Sequence, residues 1–508
     1  MNLNYFNFKH IHNLIAFSSY NKLTTFVVFN EILGLNIKFN TREETLLKRI
    51  GAIAKRFDLQ SYVIGGFVRD KILKRPCQDI DIVCVGDATI LAQAVALELG
   101  IKNGVTIFER FGTAMLKYEE FEVEFVGARK ESYLPESRKP EVETGTLEDD
   151  QNRRDFTINA MAVSINTETF GDFLDPFGGM EHLKENLIKT PLNPDITFSD
   201  DPLRMMRAIR FATQLEFDID HSTFEAIARN KDRIKIISQE RITTELNKII
   251  LAKTPSTGFK YLFDSGLLAI IFPEMHALQG IETKDGRAHK DNFYHTIEVV
   301  DNICKETDDL WLRWAAVLHD IAKPPTKRFD KKAGWTFHGH EVLGAKWVPR
   351  IFKRMKLPLD NKMKFVQNLV RLHLRPISLT KENITDSAIR RLLYDAGNDI
   401  DDLMILCKAD ITSKNYNKVR RYKDNYILVQ ERLLKVEEKD RIRNWQPPIS
   451  GELIMETFGI EPGRMIGNIK SAITEAILDG HIPNNFDEAY KFMVQKGKEY
   501  GLKLKKNK

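Results

Sequence analysis

The chain has 508 residues, more than one hydrophobic core ordinarily organises, so about two to four domains are expected. A content of 43% hydrophobic and 29% charged residues excludes a disordered or fibrous protein. No run approaches the roughly eighteen uncharged apolar residues of a membrane-spanning helix, and a net charge of +5 identifies no partner by itself.

In chain order, the first forty residues are rich in Asn, Phe and Tyr and carry no acidic residue before Glu31. They lack the positive start and longer apolar stretch of a secretory leader, so residues 1–41 are expected to be an atypical extension outside the fold. From residue 42 the pattern is orderly. Helical spacing covers 43–57 and 88–99, and strands are expected at 62–64, 80–85, 113–117 and 122–126. A polar loop carrying Pro140 is expected through 136–148, and residues 160–165 close a small mixed α/β head. Beyond Pro202 the period is almost wholly helical, with Met205, Ile209 and Ala212 as an apolar stripe and Arg204, Arg207 and Arg210 as a basic one. Pro324-Pro325 and Pro447-Pro448 mark breaks. Cys77, Cys84, Cys304 and Cys407 form no close-spaced pair, which fits a reducing cytoplasm and argues against a zinc ribbon.

Three patches in the first half carry chemistry. In Asp79-Ile80-Asp81 the strand alternation projects both carboxylates to one side and sends Ile80 and Ile82 into the core. Two carboxylates so close repel unless a cation separates them, and Mg²⁺ takes one or two carboxylates together with substrate phosphates. Gly65-Gly66 and Arg69 stand upstream, so the layout is expected to hold a nucleoside triphosphate beside metal ions. In Arg153-Arg154-Asp155, adjacent arginines cannot share a strand face; one is expected toward phosphate and the other on an acid such as Asp150. In the third patch, Pro202 is expected to open a helix after an Asp cap, with Arg204 one turn from Asp201. An Asp acceptor and an Arg donor held rigidly complement a base edge; an ordinary capped helix with an ion pair is the alternative.

A separate series occupies the second half: His295, His319-Asp320, His340, His373 and Asp410. Imidazoles and carboxylates from several helices suit Mn²⁺, Fe²⁺, Ni²⁺ or Mg²⁺ and activation of water. His295, inside the helical run 293–300, is preferred to His289, and His338 stands close to His340. Phosphate attraction is a further possibility for Lys408, Lys414, Lys418, Arg420, Arg421 and Lys423, and for Lys503, Lys505, Lys506 and Lys508 at the end.

GGFVRD, DID, RRDFTINAMA, DPFGG (residues 175–179) and DDPLRMMRAIRF, followed by Glu240-Arg241-Ile242 and Glu245-Leu246, resemble the class II CCA-adding tRNA nucleotidyltransferases and their poly(A) polymerase relatives over residues 42–275. The histidine series resembles the HD-superfamily phosphohydrolases. The resemblance implies a multidomain protein. Its parts would be a mixed α/β nucleotidyltransferase head with a polymerase beta-like palm (42–175), an all-α neck and body binding RNA and the nucleotide base (176–286), an all-α HD domain (287–421) and a helical tail (422–508). It implies catalytic Asp79, Asp81 and Glu124, the last preceding Arg129 by the family's spacing, with Asp79 and Asp81 as Mg²⁺ ligands. Gly65, Gly66, Arg69, Arg154, Asp155 and Asn159 would bind nucleotide, and Asp201, Arg204 and Arg207 would read the base. His295, His319, Asp320, His340, His373 and Asp410 would hold a divalent transition metal or Mg²⁺. Implied partners are a tRNA 3′ end, CTP and ATP, with no membrane; no feature specifies an oligomeric state.

His182, Lys189 and Asp200 depart from the family's usual Asp, Arg and Glu, and none of them removes an implied ligand. CCA addition is the expected activity, beside 2′,3′-cyclic phosphodiesterase or phosphatase activity of the HD domain. A poly(A) polymerase or a CC-only or A-only enzyme is the nearest alternative. An HD phosphohydrolase with a nucleotide-binding head is an alternative of another class. The Gly459, Gly463 and Gly467 turn is expected either to support RNA or to belong to a packed helical cap.

Overall fold

The computed structural model describes residues 37–101, 104–109, 112–132, 141–379, 385–412, 416–440 and 445–505. Residues 1–36 of the expected extension, Lys414, Lys506 and Lys508 lie outside this set, as do the side chains of Lys418 and Lys423. The chain divides between Ile236 and Ile237 into two compact units.

The first unit begins with the helix Thr41–Arg56, where Asn40 and Glu43 form a capping box and Leu46, Leu47, Ile50 and Ile53 are buried. A Cβ on Gly51 would stand 1.8 Å from Ile165 O, so glycine lets this helix lie directly on the backbone beneath it. The strands are β1 (Gln60–Ile64), β2 (Asp79–Val85), β3 (Val105–Phe108), β4 (Thr113–Tyr118), β5 (Phe121–Gly127), β6 (Arg129–Ser132), β7 (Glu141–Thr144), β8 (Ala162–Ser164) and β9 (Phe173–Leu174). Seven form one sheet in the order β3-β4-β5-β2-β1-β8-β9, in which only the β2/β5 pair is parallel. Ile80 and Ile82 are fully buried, as the alternation requires.

Two expectations change. The segment expected to be a loop contains β7, which pairs with β6, and a helix Leu147–Asn152 capped by Thr146; the cap and the strand partner both depend on neighbours that local polarity does not show. Pro202 is the N-cap of the helix Leu203–Leu215 rather than its first residue. In the basic stripe, Arg204 and Arg210 are buried. Arg210 lies 3.8 Å from the centre of the Phe211 ring, which Arg69 (5.0 Å) and Arg207 (5.4 Å) also approach.

The second unit is mostly helical. Arg313 is fully buried because its guanidinium donates to Ile250 O, Ala252 O and Thr307 O and faces Asp308. The helices Asn292–Ile303, Leu310–Leu318, His340–Arg354, Asn361–Leu372 and Ile400–Ala409 bury Phe293, Trp314, Phe352, Leu369 and Leu403. Two small hairpins, Thr283–Lys284 with Arg287–Ala288 and Arg328–Asp330 with Gly334–Thr336, add to them. The helix Tyr416–Asp440 runs across the position expected to separate domain from tail. Beyond it, Gly451–Phe458, Arg464–Leu478 and Phe486–Glu499 share a core of Ile454, Phe458, Ile469, Ile473 and Met493. A Cβ on Gly497 would meet the Phe458 ring at 2.1 Å, so apolar packing accounts for that glycine. All four cysteines are free thiols, and among the described residues no helix is long and apolar enough to cross a membrane.

Candidate active site and metal centre

β2 brings Asp79 and Asp81 to one face, and the parallel register places Asp81 beside Glu124 of β5. Asp79 and Glu124 are exposed and Asp81 is partly buried. Burial pushes the Asp81 carboxyl up to about 6, against the pull of Arg154, and Glu124 and Asp79 push it further. Three converging acids, one of them raised to about 6 by burial, are a donor set that suits a hard cation with oxygen ligands. Binding such a cation requires the Asp81 proton to leave. Mg²⁺ addition is therefore expected to release about half a proton at pH 6 and almost none by about pH 8, read by calorimetry in buffers of different ionisation enthalpy. Release that does not depend on pH would remove Asp81 from the cation site.

Gly65 turns the chain from β1 into the helix Gly66–Ile72 with φ +81°. A Cβ there would lie 3.0 Å from Arg154 Nη1 and 3.2 Å from Asp81 Oδ2, whereas at Gly66 the nearest atom would be 3.7 Å away. The strict requirement for glycine falls on Gly65. Gly65→Ala is expected to cost about 1–2 kcal/mol in backbone strain and to displace Arg154. KM for nucleoside triphosphate should then rise about tenfold, with the fold intact by circular dichroism. An unchanged KM would detach Arg154 and Gly65 from triphosphate binding.

Arg69, Asn159, Asp155 and Arg207 form a continuous chain. Arg69 grips Asp70 with two donors (2.9 and 2.8 Å) and donates to Asn159 Oδ1 (2.8 Å). Asn159 Nδ2 donates to Asp155 Oδ1 (3.0 Å), and Arg207 holds Asp155 Oδ2 from Nε (2.7 Å) and Nη2 (2.5 Å). Burial alone would raise the Asp155 carboxyl, but Arg207, Asn159 and Arg204 hold it down to about 2. Both Asp155 oxygens are engaged by protein donors, so its place is to brace Arg207 and Asn159. Arg153 and Arg154 both pair with the buried Asp150 from the end of the Leu147–Asn152 helix rather than from a strand, and Arg154 Nη1 also reaches toward Gly65. Arg204 donates to Arg153 O (2.5 Å) and Thr197 O (3.4 Å), and Asp201 Oδ1 accepts from Leu203 N (3.1 Å).

DPFGG has a structural part in this. Asp175 caps the helix Gly179–Lys184 through Gly179 N and Met180 N, and Gly179 lets that helix approach Thr157 O. His182 Nδ1 meets Thr157 Oγ1 at 2.9 Å, which anchors the turn before Asn159.

The histidine series converges in the second unit. His295, His319 and Asp410 offer ligand atoms within 4.8 Å of one another, and so do Asp320, His340 and His373. Nδ1 of His319, His340 and His373 each meets the carbonyl three residues earlier, at 2.7, 2.6 and 2.7 Å. Those contacts fix the tautomer and leave Nε2 as a lone-pair donor aimed inward. Nε2 of His319 is buried 3.2 Å from Asp320 Oδ2 and 3.7 Å from Asp410 Oδ1, and Nε2 of His340 and His373 face each other at 3.4 Å. Burial would lower His295, but its bonds to Asp320 and Asp410 raise it; burial and the charge of His319 lower His373 to about 4. Asp320 is held well below the usual carboxylate range by its histidines and Lys323 despite burial. Imidazole nitrogens converging on ionised carboxylates fit a divalent metal. His289 lies apart, with Nε2 accepting from Glu282 N (3.1 Å) and its ring edge-on to Trp335. Sequence reasoning gave no role to Lys290 and Thr412, which meet His295 Nδ1 at 3.2 and 2.9 Å; the only signal was their nearness in sequence to His295 and Asp410.

Comparison with known proteins places these sites in a family. Residues 61–189 match the poly A polymerase head domain, 216–279 the probable RNA and SrmB-binding site of polymerase A, and 292–415 the HD domain. An A-adding tRNA nucleotidyltransferase of Deinococcus radiodurans is 31% identical over 347 residues, 66% of this chain and 76% of that protein. A multifunctional CCA protein of Nitrosococcus oceani is 30% identical over 388 residues, 72% of this chain and 87% of that protein. A CCA-adding enzyme solved with CTP shares the fold at a TM-score of 0.60 and 21% identity, over 96% of this chain and 99% of that one. The chain is a nucleotidyltransferase that carries an HD domain, and it belongs to the family of tRNA nucleotidyltransferases and poly(A) polymerases.

Proposed function

We propose that the protein completes the 3′ end of tRNA, adding C and A from CTP and ATP in the cytoplasm, where its thiols stay free. The observation that carries this reading is the joining of two constellations in the first unit. The carboxylates Asp79, Asp81 and Glu124 lie beside Gly65 and Arg154, and Asp155 and Asn159 link Arg69 to the arginines of the helix Leu203–Leu215. Asp79 and Asp81, with Glu124, would hold Mg²⁺, which when bound neutralises phosphate charge and favours ionisation of the attacking hydroxyl. The RNA 3′-hydroxyl attacks the α-phosphate in line and pyrophosphate leaves. Arg154 and Arg69 orient the triphosphate, and Gly65 admits it closely.

Base choice would lie with Asp201 and Arg204. Cytosine and adenine each present an amino donor beside a ring acceptor, which an Asp–Arg pair complements, whereas uracil and guanine present the reverse pattern. The backbone carbonyls holding Arg204 fix its guanidinium plane. Arg204→Ala is expected to cut the preference for CTP and ATP over UTP and GTP about tenfold or more, with a smaller effect on triphosphate binding. Unchanged discrimination would move base reading elsewhere.

In the HD domain, the His295–Asp410 cluster would hold a divalent transition metal, which when bound supplies a nucleophilic water at neutral pH. Phosphohydrolysis is the activity proposed for it.

A second reading, addition of A alone, is favoured by the name of the Deinococcus relative. One assay separates the readings: purified protein, Mg²⁺, each labelled NTP, and tRNA transcripts ending before CCA or after CC, with products resolved at one nucleotide. A stop after CCA on the shorter transcript supports the proposal. Extension only of the CC-ended transcript establishes the A-adding reading, a long A ladder a poly(A) polymerase, and no incorporation overturns all three.

A further inference from the structure

The two small hairpins of the second unit are clasped together by Arg287. Its Nη1 donates to Lys332 O (2.9 Å) and Lys331 O (3.4 Å), 45 and 44 residues away in sequence, and its own carbonyl accepts from Trp335 Nε1 (3.0 Å). Lys284 of the first hairpin lies over the Phe329 ring of the second, 5.2 Å from its centre. Asp330 Oδ1 accepts from Lys332 N (2.8 Å) and Ala333 N (2.7 Å), which fixes the turn that carries Lys331 and Lys332. Lys284, Arg287, Arg328, Lys331 and Lys332 are thereby gathered from two parts of the chain, and all five are exposed.

Residues 282–288 and 327–336 hold six basic and three acidic side chains. Glu282 pairs with Lys327, and Asp330 is engaged by its own turn. Among the described residues no acid stands within ion-pair distance of Lys284, Arg328, Lys331 or Lys332. Phe329 and Trp335, packed edge to face, are half-buried, and neither hairpin exposes a large apolar side chain. That composition decides the partner. A protein interface buries an apolar centre and is depleted in Lys, and a membrane-surface segment inserts exposed apolar side chains. A nucleic-acid surface is polar and strongly positive, its cations answering phosphates.

We propose that the clasped hairpins are an RNA-binding surface of the second unit, gripping the phosphodiester backbone without reading sequence. Lys284, Lys331 and Lys332 meet phosphates, and Arg287 is the positioning residue that holds the two hairpins in register. The surface lies outside residues 216–279, the segment matched to RNA binding, and it includes no residue of either metal site. It goes beyond the proposed addition of C and A and shares with it only the premise that RNA is the acceptor. Each lysine that meets a phosphate releases a counterion, so the surface contributes affinity that falls with salt and leaves the chemical step alone.

The experiment measures binding of a tRNA transcript ending before CCA to the full chain, by filter retention over about 50–300 mM KCl. The parent is compared with the combined Lys284→Gln, Lys331→Gln, Lys332→Gln variant. Binding is expected to weaken about tenfold at the lowest salt, and the slope of log Kd on log salt to fall by about two to three. The KM for tRNA in CTP incorporation should rise about tenfold, with kcat and the KM for CTP nearly constant. Arg at the same three positions should keep parent binding, and a hairpin RNA of unrelated sequence should show the same loss. The exposed Lys346, Lys353 and Lys364, changed together to Gln, lower the net charge equally and should alter binding by less than about twofold. Equal loss in that control, or an unchanged slope in the hairpin variant, overturns the surface. So does loss of binding to phosphatidylserine vesicles with tRNA affinity intact, which would make the hairpins a contact for anionic lipid. Parent binding that depends on the three lysines, without any incorporation, supports the surface and overturns the addition reading. Incorporation with a tRNA KM that ignores them does the reverse.

Discussion

Replacing Asp79 and Asp81 with Ala is expected to lower nucleotide incorporation by about 10⁴-fold or more, while phosphate-ester hydrolysis by the HD centre stays within about twofold. The first half follows from how little else in the head can carry the reaction. Phosphoryl transfer relies on positioning and on neutralising charge, and β2 and β5 bring these two side chains to Glu124, while Glu122, opposite Asp79, is paired with Lys117. The second half follows from the two ligand sets lying in different compact units.

A dead variant must also be shown to be folded, and Asp81 gives that control a definite sign. Its folded pKa of about 6 lies above the ordinary carboxylate value. The stability linked to it is present below about pH 4 and is lost as pH rises through about 6, so at pH 7 the ionised carboxylate works against the metal-free fold. Allowing for its partial exposure, relief of that burial cost, with the smaller repulsion from Glu124 and Asp79, is worth of order 1–2 kcal/mol. The variant should therefore melt at or above the parent in EDTA, and lose the increase that Mg²⁺ gives the parent. Lower melting in EDTA together with lost activity would show that the carboxylates serve the fold first.

Much of this site was legible before any coordinates, and the reason is local. Asp79 and Asp81 share a face because a strand alternates, and Gly65 sits at a sharp turn that few other residues could make. The histidine series was legible through its resemblance, position by position in order, to the HD superfamily. Long-range partners were not. Arg204 and Arg210 look like a solvated stripe until Phe211, Arg153 O and Thr197 O are brought against them. Asp155 looks like a ligand-binding acid until both its oxygens are seen to be held by Arg207, Asn159 and the backbone. The β6/β7 hairpin depends on a strand partner, and Lys290 on Thr412, more than a hundred residues away. Period and turn chemistry are written locally; which buried charge answers which is decided by packing.

That same dependence makes His319→Ala with Asp320→Ala the complementary experiment. Asp320 serves both halves of the HD cluster. Its Oδ2 lies 3.2 Å from His319 Nε2 and 3.3 Å from His295 Nε2, and its Oδ1 lies 3.2 Å from His340 Nε2 and 3.8 Å from His373 Nε2. Removing it withdraws the one carboxylate that faces all four imidazoles, and removing His319 takes away a buried nitrogen that also lies 3.7 Å from Asp410 Oδ1. Bound metal, measured by mass spectrometry after purification, is expected to fall at least about tenfold, and phosphate-ester hydrolysis at least about 10³-fold. Nucleotide incorporation should stay within about twofold, because the acids it uses lie in the other unit. Asp320 also bears on stability with the opposite sign to Asp81. Its folded pKa is depressed, so its contribution is present above the ordinary carboxylate value and lost as pH falls below it. At pH 7 the metal-free variant should therefore melt below the parent, the reverse of the head variant. Asp320→Asn, which keeps the shape and removes the charge, should lose metal and hydrolysis with a smaller fall in melting temperature. If a folded His319→Ala, Asp320→Ala protein loses incorporation as well, the division of labour between the two units is wrong, and the HD cluster is part of the transferase.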